Sequence, residues 1–117
     1  MENPTEKIII YQVLPRLFGN DNNCCIPGGT LQENGCGKMA DFTGKALTEI
    51  KKLGATHIWY TGIIEHATQT DYRRYNISPD HPAVVKGKAG SPYAIKDYYD
   101  VDPDLAKDVP GRMKEFE

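Results

Sequence analysis

Two apolar runs separated by one amphipathic segment constrain this chain more than anything else in it. Residues 7–14, Lys-Ile-Ile-Ile-Tyr-Gln-Val-Leu, are β-branched, aromatic and nearly continuous in apolar content until Pro15 stops them. Such a run suits a strand buried on both faces. Residues 55–61, Ala-Thr-His-Ile-Trp-Tyr-Thr, form a second run of this kind, ended by Gly62. Between them, Ala46, Leu47, Ile50 and Leu53 fall on one face of a helix predicted over residues 42–53. Asp41 stands where an N-cap or first-turn acid belongs. Lys51 and Lys52 occupy the last turn, and Gly54 supplies the stop. Strand, helix and strand with so short a final link imply a right-handed βαβ unit. That means a parallel sheet and an α/β fold class.

The remaining segments read differently. Residues 19–37 hold five Gly, four Asn and one Pro, which is loop chemistry. Residues 62–108 are rich in Pro, Gly, Asp and Tyr without a clear period, so a long loop is expected after the second strand. Residues 109–117 look like the first turns of another helix, with Asp108 as cap and Pro110 near its start. Two parallel strands with one and a half helices cannot cover both faces of a sheet. The chain is therefore expected to be a fragment, its missing surface supplied by more chain, by a partner or by self-association. By itself it is not expected to be a stable monomer, because strand edges and apolar faces stay bare.

Composition narrows the function classes. Acids and bases are mixed along the chain, with a net charge of −2. A nucleic-acid or membrane-surface footprint would need a concentrated basic patch. No apolar run approaches the roughly 20 residues of a membrane span. The first seven residues are polar and no h-region follows, so no signal peptide is visible. That leaves a cytoplasmic, periplasmic or secreted location open, the last two with the leader removed. Cys24, Cys25 and Cys36 are too few and too unevenly spaced for a disulfide framework. A Cys24–Cys36 or Cys25–Cys36 bridge across one loop stays open. Zinc is disfavoured, since there is no C-x-x-C and no His close by in sequence.

Four motifs follow one another along the chain. Residues 10–18 read Ile-Tyr-Gln-Val-Leu-Pro-Arg-Leu-Phe, and residues 35–42 read Gly-Cys-Gly-Lys-Met-Ala-Asp-Phe. Residues 53–59 read Leu-Gly-Ala-Thr-His-Ile-Trp. Residues 91–103 read Ser-Pro-Tyr-Ala-Ile-Lys-Asp-Tyr-Tyr-Asp-Val-Asp-Pro. In this order they resemble the N-terminus of the α-amylase family, glycoside hydrolase family 13, over nearly the whole chain. The resemblance implies an α/β fold made of the first two β/α units of a (β/α)8 TIM barrel. The barrel would be incomplete, with a long loop after the second strand and residues 1–117 forming the N-terminal part of the catalytic domain. In such barrels the sites lie on loops at the strand C-termini.

Residue by residue, the resemblance singles out Tyr93 as a substrate-binding group. The family's tyrosine at this point stacks on the sugar that reacts, its ring face meeting the pyranose C–H groups. Pro92 departs from the pattern, where many members have Gly. Asp97, Tyr98, Asp100 and Asp102 are expected to brace the barrel mouth, with Asp102-Pro103 as a turn. Gln12 and Arg16 are expected to anchor the first strand and its loop. Glu65 and His66 could be read as an acid–base pair, but neighbours on a strand point to opposite sides. His57 is expected to be a satisfied core histidine, and His81 lies in the long loop. Gly62 stands where many members have Pro. Asn20 and Asn22 keep the alternation of a calcium loop found in some members, which Cys24 breaks. Calcium binding in the parent is the cofactor option this leaves, and no other cofactor is implied.

The catalytic residues are absent. A retaining glycosidase needs a nucleophilic carboxylate and an acid/base carboxylate about 5 Å apart. In this family they arise from later strands, and the Asn-His pair linked to strand three does not occur here. No catalytic residue is assigned, and the fragment alone is expected to be inactive. The parent is expected to cleave α-glucosidic bonds, α-1,4 bonds of starch-like glucans foremost, by a retaining mechanism. The alternatives are a transglycosylase, an α-1,6-glucosidase, a disaccharide-active enzyme, or a non-catalytic binding module that borrowed the βαβ unit. The partner implied is an α-glucan or oligosaccharide.

Overall fold

The structure, a computed structural model, describes residues 6–117; the first five residues of the polar N-terminal stretch lie outside the described residues. The first apolar run forms strand β1, Ile10–Val13. Two short helices follow in the loop, α1 over Pro15–Phe18 and α2 over Leu31–Asn34. Then come helix α3, Gly44–Lys52, and strand β2, His57–Tyr60. β1 and β2 pair in parallel, with Ile10 opposite His57 and Val13 opposite Tyr60. The strand–helix–strand order demands this pairing, because a parallel neighbour needs a long crossover.

Local chemistry sets the ends of α3, with one difference from expectation. Thr43 is the N-cap, its hydroxyl accepting from the Ala46 N–H at 3.2 Å. Asp41 instead ends a 3-10 turn over Met39–Asp41 and accepts from the Lys38 N–H at 2.7 Å. The helix stops at Gly54, whose φ of +94° is costly for any residue with a Cβ.

The sheet is far barer than its sequence implies. Ile10 is 58% exposed and Trp59 is 50% exposed. His57 is exposed too, its Nδ1 lying 2.8 Å from the Thr56 hydroxyl, so it is not a core histidine in this chain. Of the four apolar residues on the α3 face, only Ile50 is buried. The cause is geometric: one nine-residue helix cannot shield two strands on both faces.

The segment expected as loop holds a second sheet. Strands β3, Ile64–His66, and β4, Ile95–Val101, pair antiparallel with irregular register. β4 runs into a 3-10 turn over Pro103–Leu105, for which Asp102 is the N-cap. This is where the core sits. Val101, Leu105, Ala106 and Met39 form one buried cluster, with Cys36 and Ile63 packed against it. An aromatic seam runs through the first half. Phe18 stacks on Phe42 at 4.4 Å, and Phe42 meets Tyr60 edge-on at 4.9 Å.

At the C-terminal end a 3-10 turn over Val109–Gly111 leads into α4, Arg112–Phe116. The Asp108 side chain does not cap it. The Glu115 carboxylate instead accepts the backbone N–H groups of Lys107 and Asp108, both at 2.9 Å. Cys24, Cys25 and Cys36 are free thiols, so neither bridge left open by the sequence is present.

Candidate functional site

Because β1 and β2 are parallel, the chain leaves both at the same end of the sheet. Beneath those two departing loops lies a buried ionic network centred on Asp104. Arg16, in α1, places Nη2 2.6 Å from Asp104 Oδ2 and 3.5 Å from Asp102 Oδ2. The Tyr72 hydroxyl donates to Asp104 Oδ1. Lys38 Nζ and Cys36 Sγ donate to the Asp104 carbonyl at 2.6 and 3.4 Å. The Asp104 N–H donates to Asp102 Oδ1 at 3.0 Å, the cap bond of the Pro103–Leu105 turn. His66 completes the set. Its Nε2 lies 3.1 Å from the Ala89 carbonyl and 3.6 Å from Asp102 Oδ2.

Burial governs the electrostatics. Asp102 and Asp104 are 1% and 0% exposed. Burial, then the neighbouring charge of Asp104, pushes the Asp102 carboxyl up to about 6. Burial also raises the Tyr72 hydroxyl, and the adjacent Asp104 charge adds to it. The Cys36 thiol is raised chiefly by burial. For Arg16 burial works to lower the guanidinium, but Asp104 and its neighbours outweigh it and hold the charge on. Nothing in solution reaches these carboxylates. They brace the loops and are not placed to attack a substrate.

Above the network the two loops enclose an open cleft of about 760 Å³. Arg16, Asn20, Asn34, Gln69 and Lys88 are among its lining residues. Asn20 and Asn34 spend their amides within the first loop, so Gln69 and Lys88, beside the carboxylates of Asp71 and Asp104, are the lining groups that face a ligand. Among the described residues no aromatic ring lines it.

The residues singled out by sequence fall in several places. Arg16 anchors the first loop through the network, and Gln12 Nε2 donates to the Thr61 hydroxyl at 2.9 Å, tying the ends of β1 and β2. Asp102 is the turn residue expected of it. Asp100 is held by Arg112, at 2.8 Å to Nε and 2.6 Å to Nη2. Tyr93 lies in the turn before β4 with its side chain 71% exposed, outside the cleft lining. Tyr98 and Tyr99 are also exposed. Glu65 and His66 are both buried, and no hydrogen bond between them is found. His81 Nδ1 caps a short turn by accepting from the Ala83 N–H. Gly62 has a φ of +88°, a conformation closed to proline. Asp104, Tyr72 and Lys38 were not singled out by sequence as members of one network. The only signal was a second acid two residues after Asp102.

The Asn loop does not suit calcium. Asn20 Oδ1 and Asn22 Oδ1 accept the N–H groups of Asn22 and Cys24, at 3.2 and 2.9 Å, so both serve the loop's own backbone. Cys24 offers a thiol where a hard ion wants oxygen.

No protein-family model, curated protein or solved structure matches the chain. Among the described residues no helix is long and apolar enough to cross a membrane.

Proposed function

We propose that this chain forms the first two β/α units of the catalytic (β/α)8 barrel of an α-amylase-like glycoside hydrolase. The enzyme cleaves α-glucosidic bonds, chiefly α-1,4 bonds of starch-like glucans, by a retaining mechanism. One observation carries the reading beyond sequence motifs. The two strands are parallel, and both send long segments from the same end around an open cleft. Sites of parallel barrels are built at that end. The bare faces of β1 and β2 fit further barrel strands and helices as their cover.

In this reading the chain supplies scaffold and one binding group. Arg16, Asp102 and Asp104 fix the loops that shape the rim. The exposed ring of Tyr93 stacks on a sugar face. The nucleophile and the acid/base come from outside residues 1–117; Asp102 and Asp104 are already held by Arg16.

The test uses the complete gene product containing these residues, assayed on soluble starch and malto-oligosaccharides. Reducing ends should appear, with the α-anomer released first by NMR. Tyr93→Ala should lower kcat/KM about tenfold, the scale of one lost stacking contact. A well-folded gene product that releases no sugar from any α-glucan would sink the proposal.

A further inference from the structure

We propose that Glu65, Asp97 and Asp100 form a binding site for one hard divalent cation, calcium or magnesium, on the β3–β4 hairpin. The site lies apart from the Asp104 network and does not rest on the glucan reading. Antiparallel pairing sets Glu65 opposite Asp97. In a regular strand Asp100, three residues on, would face the other side. The register breaks on both sides of Glu65 disturb that alternation. One carboxylate oxygen from each of the three residues lies within 4.8 Å of the others.

The second observation concerns Glu65 alone. It is 4% exposed, and among the described residues its Oε2 has no hydrogen-bond partner. A buried carboxylate oxygen left without a donor is costly. The positive groups nearby do not resolve this. Arg112 spends its Nε and Nη2 on the two oxygens of Asp100, and Lys96 pairs with Asp80 at 3.1 Å. Three carboxylates thus share one guanidinium. Burial, then the charge of Asp100, pushes the Glu65 carboxyl upward and outweighs the nearby charges of Lys96 and Arg112.

A divalent cation supplies what is missing. An all-carboxylate donor set selects hard ions over zinc or copper. Arg112 does not block the site: Asp100 Oδ1 already accepts from Arg112 Nε and the Val101 N–H, but Oδ2 accepts from Arg112 Nη2 and keeps a lone pair. Asp97 is exposed, which gives the ion a way in and room for water to complete its shell.

The experiment strips the complete gene product with EDTA and titrates it calorimetrically with CaCl2 and with MgCl2. Glu65→Gln and Asp97→Asn are titrated alongside. The wild type should bind one more ion than each variant, or bind the corresponding ion at least about tenfold more tightly. Equal stoichiometry and affinity in all three proteins overturns the site, as does a wild type that binds neither ion. If a variant does not fold by circular dichroism, substoichiometric Mn2+ on the wild type decides. It must broaden the amide resonances of Glu65, Asp97 and Asp100 first. Broadening confined to other residues, or none, overturns the assignment equally.

Discussion

The β1–α3–β2 unit and the segment from β3 to Ala106 meet the need for a core in opposite ways. The first is regular and barely buried: of its strand residues only Val13 is fully enclosed, while Ile10 and Trp59 face outward. The second is irregular and densely enclosed, with Val101, Leu105 and Ala106 in the core and two buried acids beside them. Regular secondary structure and burial are separate achievements. The first unit has the hydrogen-bond pattern of a parallel strand pair without covering layers on both faces. The second has little pattern but brings distant residues into contact.

The largest expected effect tests whether that contrast survives in the complete gene product. Leu105→Ala should cost about 2–5 kcal/mol in urea denaturation, wherever the chain ends, because Leu105 is 1% exposed. If barrel strands and helices cover β1, Ile10→Ala should cost a similar amount. An Ile10→Ala loss within about 0.5 kcal/mol, the usual range for surface sites, would retire the barrel reading.

A middle-sized effect is expected from pH. The Asp102 carboxyl is raised to about 6 in the folded chain, so the native state holds that proton more tightly than the unfolded state does. Its stabilising contribution is fully present below the unfolded value near 4 and is lost as pH rises through about 6. The change is on the order of 2 kcal/mol. Asp100 has the opposite sign. Burial works to raise it, but the Arg112 bonds win and lower it, so its contribution is present above the unfolded value and lost as pH falls. Melting temperatures from pH 4 to 7 for wild type and Asp102→Asn should show the variant flatter than the wild type between 4 and 6. A superimposable pair of profiles would mean the buried cluster does not titrate as the geometry implies.

The smallest effect concerns the regular unit. Thr43→Ala removes the side-chain cap of α3 and should cost about 1 kcal/mol, read as a modest fall in melting temperature. Unchanged melting would show that α3 is held by packing rather than by its own terminus.

These contrasts explain what the sequence disclosed. The β1 and β2 runs and the amphipathic α3 face carry local, periodic signals, so their identity and parallel order were legible. Their exposure was not, because apolar residues announce a wish for burial rather than a partner. β3 is three residues long, and β4 interrupts its β-formers with Lys96, Asp97 and Asp100. Neither shows a clean alternation, and their pairing spans some 30 residues of loop, so a loop was the natural expectation. Asp102 was legible as a turn residue because Asp-Pro carries local turn chemistry. Asp104 was not, since its role depends on Arg16, Cys36, Lys38 and Tyr72, none of which is near it in sequence. The Glu65–Asp97–Asp100 cluster depends on register breaks that no spacing rule encodes.

Asp104 also sets a timetable. Its partners lie 32, 66, 68 and 88 residues upstream in sequence. Contacts of such long range are rewarded only after large loops have closed, which makes them late events in folding. A ribosome adding roughly 5–20 residues per second reaches Asp104 several seconds after Tyr60, the end of β2, has been made. Through that interval the bare isoleucines of the first strand wait without the rivet that later pins α1 to the 102–105 turn. The nascent chain is then most exposed to misassociation, and holding factors would act on the first strand pair before the core exists.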